Sequence, residues 1–346
     1  MAIWRCAHER APALSLVAVW MTNYASERYL RRAIESVLGQ SHTDLTLYIF
    51  DNHSPGEAPA IIQEYASKDT RVVVPEIPKG LAGIPLMDCA WRYLNKTKQD
   101  YTITLGGHDF WNTADFLKTL VDRMDGEIAA RAPSHTVAIC YTDVMQVNME
   151  DEVCGRYQDI MQIGQIGRPF IPQVVISSVN SPQLFGLWNE KVRRALPIRH
   201  LCGGWDHLIV MEAALHGMIL FDGRVQLVMR APPPGDNSDS YGKRHLSPEN
   251  LKRGQQDFID QLEWCMHCVK LACADMPAEA AATYRMMLTA SMVTTYMVLR
   301  GTNLAQVPDA FPQFVQNPLV IEAMKGAHHT MRFVESLIRS SKPVTY

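Results

Sequence analysis

Three short polar clusters in this chain carry the side chains able to do chemistry. They are Thr22-Asn23-Tyr24, Asp51-Asn52-His53-Ser54 and Gly106-Gly107-His108-Asp109, and each follows an apolar, strand-like run. In open sheets, ligands bind beyond the carboxyl ends of the strands, so three such clusters at successive strand ends point to one shared site. The competing reading of any single cluster is turn chemistry, because Asn, Asp, Ser and Gly also supply tight turns. The stretch "YTITLGGHDFWN" is the most pointed of the three, with two glycines, a histidine and a single carboxylate closing the run. No G-x-x-x-x-G-K-[ST] phosphate loop, no G-x-G-x-x-G after a strand and no H-E-x-x-H accompanies them.

The elements that must position these residues are legible as periodicity. Leu14 to Met21 lacks polar alternation, as a strand buried on both faces does. In "SERYLRRAIESVLGQ", Tyr29, Leu30, Ala33, Ile34, Val37 and Leu38 recur at helical spacing, with Ser26 as the expected cap and Gly39 as the stop. "LTLYIFDN", "TRVVVPE", "YTITL", "TVAICYTDV" and "GMILFDGRVQLVMR" read as strands. "APAIIQEYASKD", "GIPLMDCAWRYLNKT", "TADFLKTLVDRM", "NEKVRRAL" and "DHLIVMEAALHG" read as helices. Strands alternating with helices predict an α/β fold on a mostly parallel central sheet with flanking helices. The Pro/Gly/Ser-rich stretch over 231–250 is the candidate boundary, and a helical pattern follows it.

Bulk properties bound the function. The chain has 346 residues, 47% hydrophobic and 20% charged, which is ordinary globular usage and long enough for one large core or two modest ones. A formal net charge of -3 gives no general attraction for nucleic acid. The 8 cysteines are scattered, and Cys265 and Cys268 lack the second pair of a structural zinc site, so buried thiols in a reducing cytoplasm are expected. No apolar run approaches the roughly 18–20 residues that span a membrane. The apolar stripe in "ATYRMMLTASMVTTYMVL" is expected to serve as core, as a homo-oligomer contact or as a peripheral contact with the inner face of a membrane.

The order and spacing of these blocks resemble family 2 inverting glycosyltransferases of the GT-A fold, across roughly residues 14–230. The matching stretches are "VWMTNYASERYLRRAIESVLGQSHTDLTLYIFDNHS", "IIQEYASKDTRVVV", "YTITLGGHDFWNTADFL", "LFGLWNEKVRRAL" and "GGWDHLIVMEAALHG". The resemblance implies a Rossmann-like glycosyltransferase domain over residues 1–235, with a nucleotide-sugar half near 14–125, an acceptor half near 126–230 and a helical extension over 236–346. It implies a nucleotide-diphosphate sugar donor and a glycan, lipid-linked or protein acceptor, with a role in surface polysaccharide or glycoconjugate synthesis.

Carried over residue by residue, the resemblance assigns nucleotide binding to Thr22, Asn23, Tyr24, Asp51 and Asn52. A carboxylate or amide there can accept from a base N–H while an aromatic ring stacks on the base. Where the family binds a divalent cation on the donor diphosphate, this chain has Gly106, Gly107, His108 and Asp109. Asp109 and His108, completed by His245, are the expected ligands for Mn²⁺ or Mg²⁺, a weak or dispensable cofactor here; His108 as a turn residue is the alternative. Gly107, His108, Trp111, Trp205, Lys243 and Arg244 are the expected donor and acceptor contacts. Pro85 and Leu86 stand where the family has polar donor contacts. Asp206 of "GGWDHL" matches the general base, and an N-cap is its other reading. The alternatives to an enzyme of this kind are a degraded relative that binds sugar nucleotide or glycan as an assembly partner and, ranked below it, a sugar nucleotidyltransferase.

Overall fold

A computed structural model describes residues 14–79, 81, 84–131, 136–157, 182–196 and 205–231, with parts of 260–282. Among them, nine strands form one sheet. The strands are β1 (Val17–Asn23), β2 (Leu45–Asp51), β3 (Val72–Val73), β4 (Tyr101–Gly106), β5 (Phe110–Trp111), β6 (Val137–Val147), β7 (Val153–Tyr157), β8 (Leu187–Asn189) and β9 (Met218–Arg230). Their order is β3-β2-β1-β4-β8-β6-β9-β5, with β7 paired to β6. β1, β2, β3 and β4 pair in parallel. β8 is antiparallel to both β4 and β6, so β6 and its parallel neighbour β9 run in the direction of β4. The mostly parallel sheet holds, and the short strands β5, β7 and β8 run against it.

The alternation along β1 divides the core between the two faces. Val17, Val19 and Met21 join α1 (Glu27–Leu38), α2 (Ala58–Lys68) and α4 (Phe116–Ala130). Ala18 and Trp20 join α3 (Ile84–Leu94), α5 (Glu190–Ala195) and α6 (Trp205–His216). On α1 the buried face is Leu30, Ala33, Ile34 and Val37. Each fully buried Leu or Ile there contributes about 1.5–3 kcal/mol. Gly39 caps its end as expected, but Ser26 does not cap its start by side chain. The Ser26 hydroxyl donates to the Tyr24 carbonyl instead, at 3.2 Å, because the chain enters through Ala25 at a φ of 50°.

α6 turns into β9 at Gly217 and packs on β6 and β9, so it runs back along the sheet. Its first turn, with Asp206, faces the edge at which β1, β2 and β4 end. Trp264, Cys268, Ala272 and Cys273 share the core of Trp205 and Leu208. Trp264, Cys268 and Ala272, four residues apart, present one helix face. Among the described residues no helix is long and apolar enough to cross a membrane.

Candidate functional site at the carboxyl edge of the sheet

Parallel pairing puts Asn23 beside Asp51, and Thr22 beside Phe50 and Gly106. The three clusters therefore meet at one edge. Backbone bonds weld them: the Asn52 N–H donates to the Asn23 carbonyl at 2.9 Å, and the Gly107 N–H to the Thr22 carbonyl at 3.0 Å.

Asn23 is an interior strut of this edge. It is 2% exposed, and its amide Nδ2 donates to Asp51 Oδ1 at 2.7 Å and to Ser54 Oγ at 3.1 Å. Ser54 donates its hydroxyl to Asp51 Oδ1 at 2.5 Å and its N–H to Asp51 Oδ2 at 3.0 Å. A carboxylate has about four lone-pair sites. These donors fill three of them, which leaves Asp51 one acceptor direction, on Oδ2, for a further donor. Ser54 also accepts from the Ala25 N–H at 3.0 Å, so it fixes the loop that carries Tyr24. Ser54 was not singled out from sequence; its position in an Asp-x-x-Ser turn was the available signal. Tyr24 is 60% exposed, an open aromatic face beside Asp51 and Asn52.

The glycine pair has a steric cause. A Cβ on Gly107 would collide with Asn23 Oδ1, and a Cβ on Gly106 would lie 2.5 Å from Asp109 Oδ2. Two buried side chains thus pass directly beneath the chain, and only glycine leaves room for them.

Asp109 is 3% exposed. Its Oδ1 accepts from the Arg230 N–H at 2.9 Å and lies 3.6 Å from His108 Nε2, whose side chain is half exposed. Burial pushes the Asp109 carboxyl up from its ordinary range, against the opposing pull of His108 and the Arg230 N–H. Of the expected ligands only Asp109 and His108 are among the described residues, and these two alone do not make up the coordination of a divalent ion. Among the described residues no group of three His, Cys, Asp or Glu could hold a metal. His245, Lys243 and Arg244 lie outside the described residues, as do the two glycines before Trp205.

Two expected sugar contacts are corrected. Trp111 is buried on β5, stacked on Phe116 with ring centroids 4.8 Å apart, because β5 lies between β9 and α1. Trp205 is buried in the core that holds Leu208 and Trp264, because it faces the sheet from the first turn of α6. Neither offers an open face. Leu86, on α3, is likewise a core residue. Asp206 is partly exposed on that first turn of α6.

Residues 18–147 match the model of glycosyl transferase family 2, a span that holds all three clusters and the strands behind them. Over this span the chain is similar to glycosyl transferase family 2. Within the curated proteins, a stretch of 49 residues is 43% identical to Protein CgeD of Bacillus subtilis (strain 168), covering 14% of this chain and 12% of that protein. The chain also resembles solved structures of S. aureus TarS 1-349. The complex with UDP-GlcNAc superposes with a TM-score of 0.57 at 15% identity, over 89% of this chain and 79% of that one. The complex with UDP gives 0.58 at 16%, over 95% and 93%. At such identity the likeness establishes the GT-A-type fold of the chain.

Proposed function

We propose that the chain transfers a sugar from a nucleotide-diphosphate donor to an acceptor hydroxyl with inversion, in surface polysaccharide or glycoconjugate synthesis. The observation that carries this reading is the convergence of Tyr24, Asp51, Asn52 and Gly107 at the carboxyl edge of parallel strands within the span similar to family 2. The UDP and UDP-GlcNAc held by the structurally similar TarS fragments support the donor class.

In this scheme the base stacks on Tyr24 and donates to the open direction on Asp51, with Asn52 beside it. The diphosphate lies over Gly107, whose missing side chain lets it approach the backbone, and beside His108. The acceptor oxygen bonds to the anomeric carbon, the bond from that carbon to the diphosphate oxygen breaks, and its electron pair leaves on the nucleoside diphosphate. The acceptor proton passes to the Asp206 carboxylate, a step worth about 10²–10⁴ in rate. Positive charge for the leaving group is assigned to His108 with Lys243, Arg244 and His245. No step is routed through a metal, because among the described residues no group of three His, Cys, Asp or Glu could hold one.

The test pairs binding with turnover. The protein is incubated with UDP-, GDP- and dTDP-sugars in Mn²⁺, Mg²⁺ or EDTA, and thermal shift and donor hydrolysis are recorded. One nucleotide class shifts the melting point and is hydrolysed, and Asp206→Asn lowers turnover at least a hundredfold. Binding without turnover, even with candidate acceptors, favours a sugar-nucleotide-binding assembly partner. Near-normal turnover of Asp206→Asn removes that residue from the mechanism.

A further inference from the structure

Arg230, the last residue of β9, uses its two ends differently. Its backbone N–H fixes Asp109 Oδ1 at 2.9 Å, while its side chain reaches the turn between β6 and β7. There Nη1 donates to the Asn148 carbonyl at 2.7 Å and Nη2 lies 2.6 Å from Asp151 Oδ1. The guanidinium carbon sits 3.9 Å from the centroid of the Tyr29 ring on α1. The same turn is gripped from α1 twice more. Arg32 Nη1 donates to Asp151 Oδ2 at 2.8 Å while its guanidinium carbon lies 3.5 Å from the Phe110 ring centroid, and the Tyr29 hydroxyl donates to the Met149 carbonyl at 3.1 Å. Asp151 is held at a φ of 68°, a left-handed conformation that costs a non-glycine residue free energy and persists where its surroundings over-determine it.

A guanidinium 2% exposed is expensive to desolvate, and an apolar side chain of similar volume would often be as stable. What an apolar residue would not supply is a β9 end locked at once to α1, to the β6–β7 turn and, through the adjacent N–H, to Asp109. We propose that Arg230 is a positioning residue for the transfer: its side-chain clamp holds the backbone N–H that fixes the Asp109 carboxylate, 3.6 Å from His108 Nε2, and through it the imidazole placed beside the donor diphosphate. This rests on the donor-site reading above.

The experiment compares wild type with Arg230→Met, Arg230→Lys, Asp151→Asn, Asp109→Asn and the Arg230→Met/Asp109→Asn double variant. The substrate is whichever of the UDP-, GDP- and dTDP-sugars the wild type hydrolyses; kcat, KM and the Kd of the free nucleoside diphosphate are measured, with melting points as the folding control. Arg230→Met is expected to lower kcat at least tenfold and to leave the diphosphate Kd within threefold, because Tyr24 and Asp51 are untouched. Arg230→Lys recovers part of the loss, and the double variant is no slower than Asp109→Asn alone. A folded Arg230→Met with wild-type kcat, or losses that multiply in the double variant, overturns the proposal. If Arg230→Met does not fold, the half-exposed Asp151 replaces it: Asp151→Asn is expected to lower kcat at least threefold, and an unchanged kcat overturns the proposal. Wild-type kcat in Asp109→Asn sinks the role of Asp109 behind His108 and the proposal with it. An impaired Asp109→Asn beside an unimpaired Arg230→Met sinks the role of Arg230 alone. Hydrolysis of no sugar in the panel overturns both.

Discussion

Gly107 and Asn23 form a matched pair at the centre of the candidate site. Replacing Gly107 by Ala drives a methyl into Asn23 Oδ1, and Asn23 is held from the other side by Asp51 and Ser54. Gly107→Ala should therefore lower both the melting point and nucleotide affinity, the latter at least tenfold, as read by thermal shift and titration with nucleoside diphosphate. Gly126 is the control, since its added Cβ would meet nothing within 4 Å. In the interior of α4, Gly126→Ala should stabilise by about 0.5–1 kcal/mol and leave binding unchanged. Legibility at this scale was uneven. "GGHD" could be singled out in the sequence because it ends a strand, but the reason for its glycines could not, since Asn23 and Asp109 reach them only through the fold. Trp111 and Trp205 misled for the same reason: a tryptophan next to polar residues reads identically whether its ring faces a ligand or the core.

The β6–β7 turn is an element whose stability follows pH. Burial acts to raise the Asp151 carboxyl, and its bonds to Arg230 and Arg32 outweigh that, so it is held below the ordinary carboxylate range. A carboxylate depressed by folding adds stability that is present above its unfolded value, roughly pH 4, and is lost as pH falls through the folded one. Acid should therefore release this turn, and Asp151→Asn should flatten the acid side of the melting-point profile; an unaltered profile would show that the ion pairs contribute nothing. α6 carries a buried carboxylate. Glu212 is fully buried, accepts from Trp264 Nε1 and lies 3.2 Å from His267 Nε2. Glu212→Ala strands both partners and should cost about 1–3 kcal/mol in denaturant unfolding. The long apolar elements were evident from periodicity, whereas β5, β7 and β8, of two, five and three residues, were not. Strands that short carry too few residues to show an alternation and exist because longer neighbours offer them an edge.

For the molecule as a whole, the parallel sheet brings loops far apart in sequence to one edge, and the succession of strands and helices along the chain was the part of the fold that alternating patterns made readable. The sharing of one core by α6 and residues 264–273 was not readable, because an apolar stripe does not name what covers it. It places part of the C-terminal region behind the helix that carries Asp206. The central claim is that the carboxyl edge of this sheet binds a sugar nucleotide through an aromatic face on the loop after β1. Calorimetric titration of wild type and Tyr24→Ala with UDP-, GDP- and dTDP-sugars tests it most directly, since Tyr24 is 60% exposed and its loss leaves the core intact. Stacking of a base on an aromatic ring is worth about 1–3 kcal/mol, so the account predicts binding of one nucleotide class by wild type and at least fivefold weaker binding by Tyr24→Ala at an unchanged melting point. Equal affinity in the two proteins, or no binding by wild type, would contradict it.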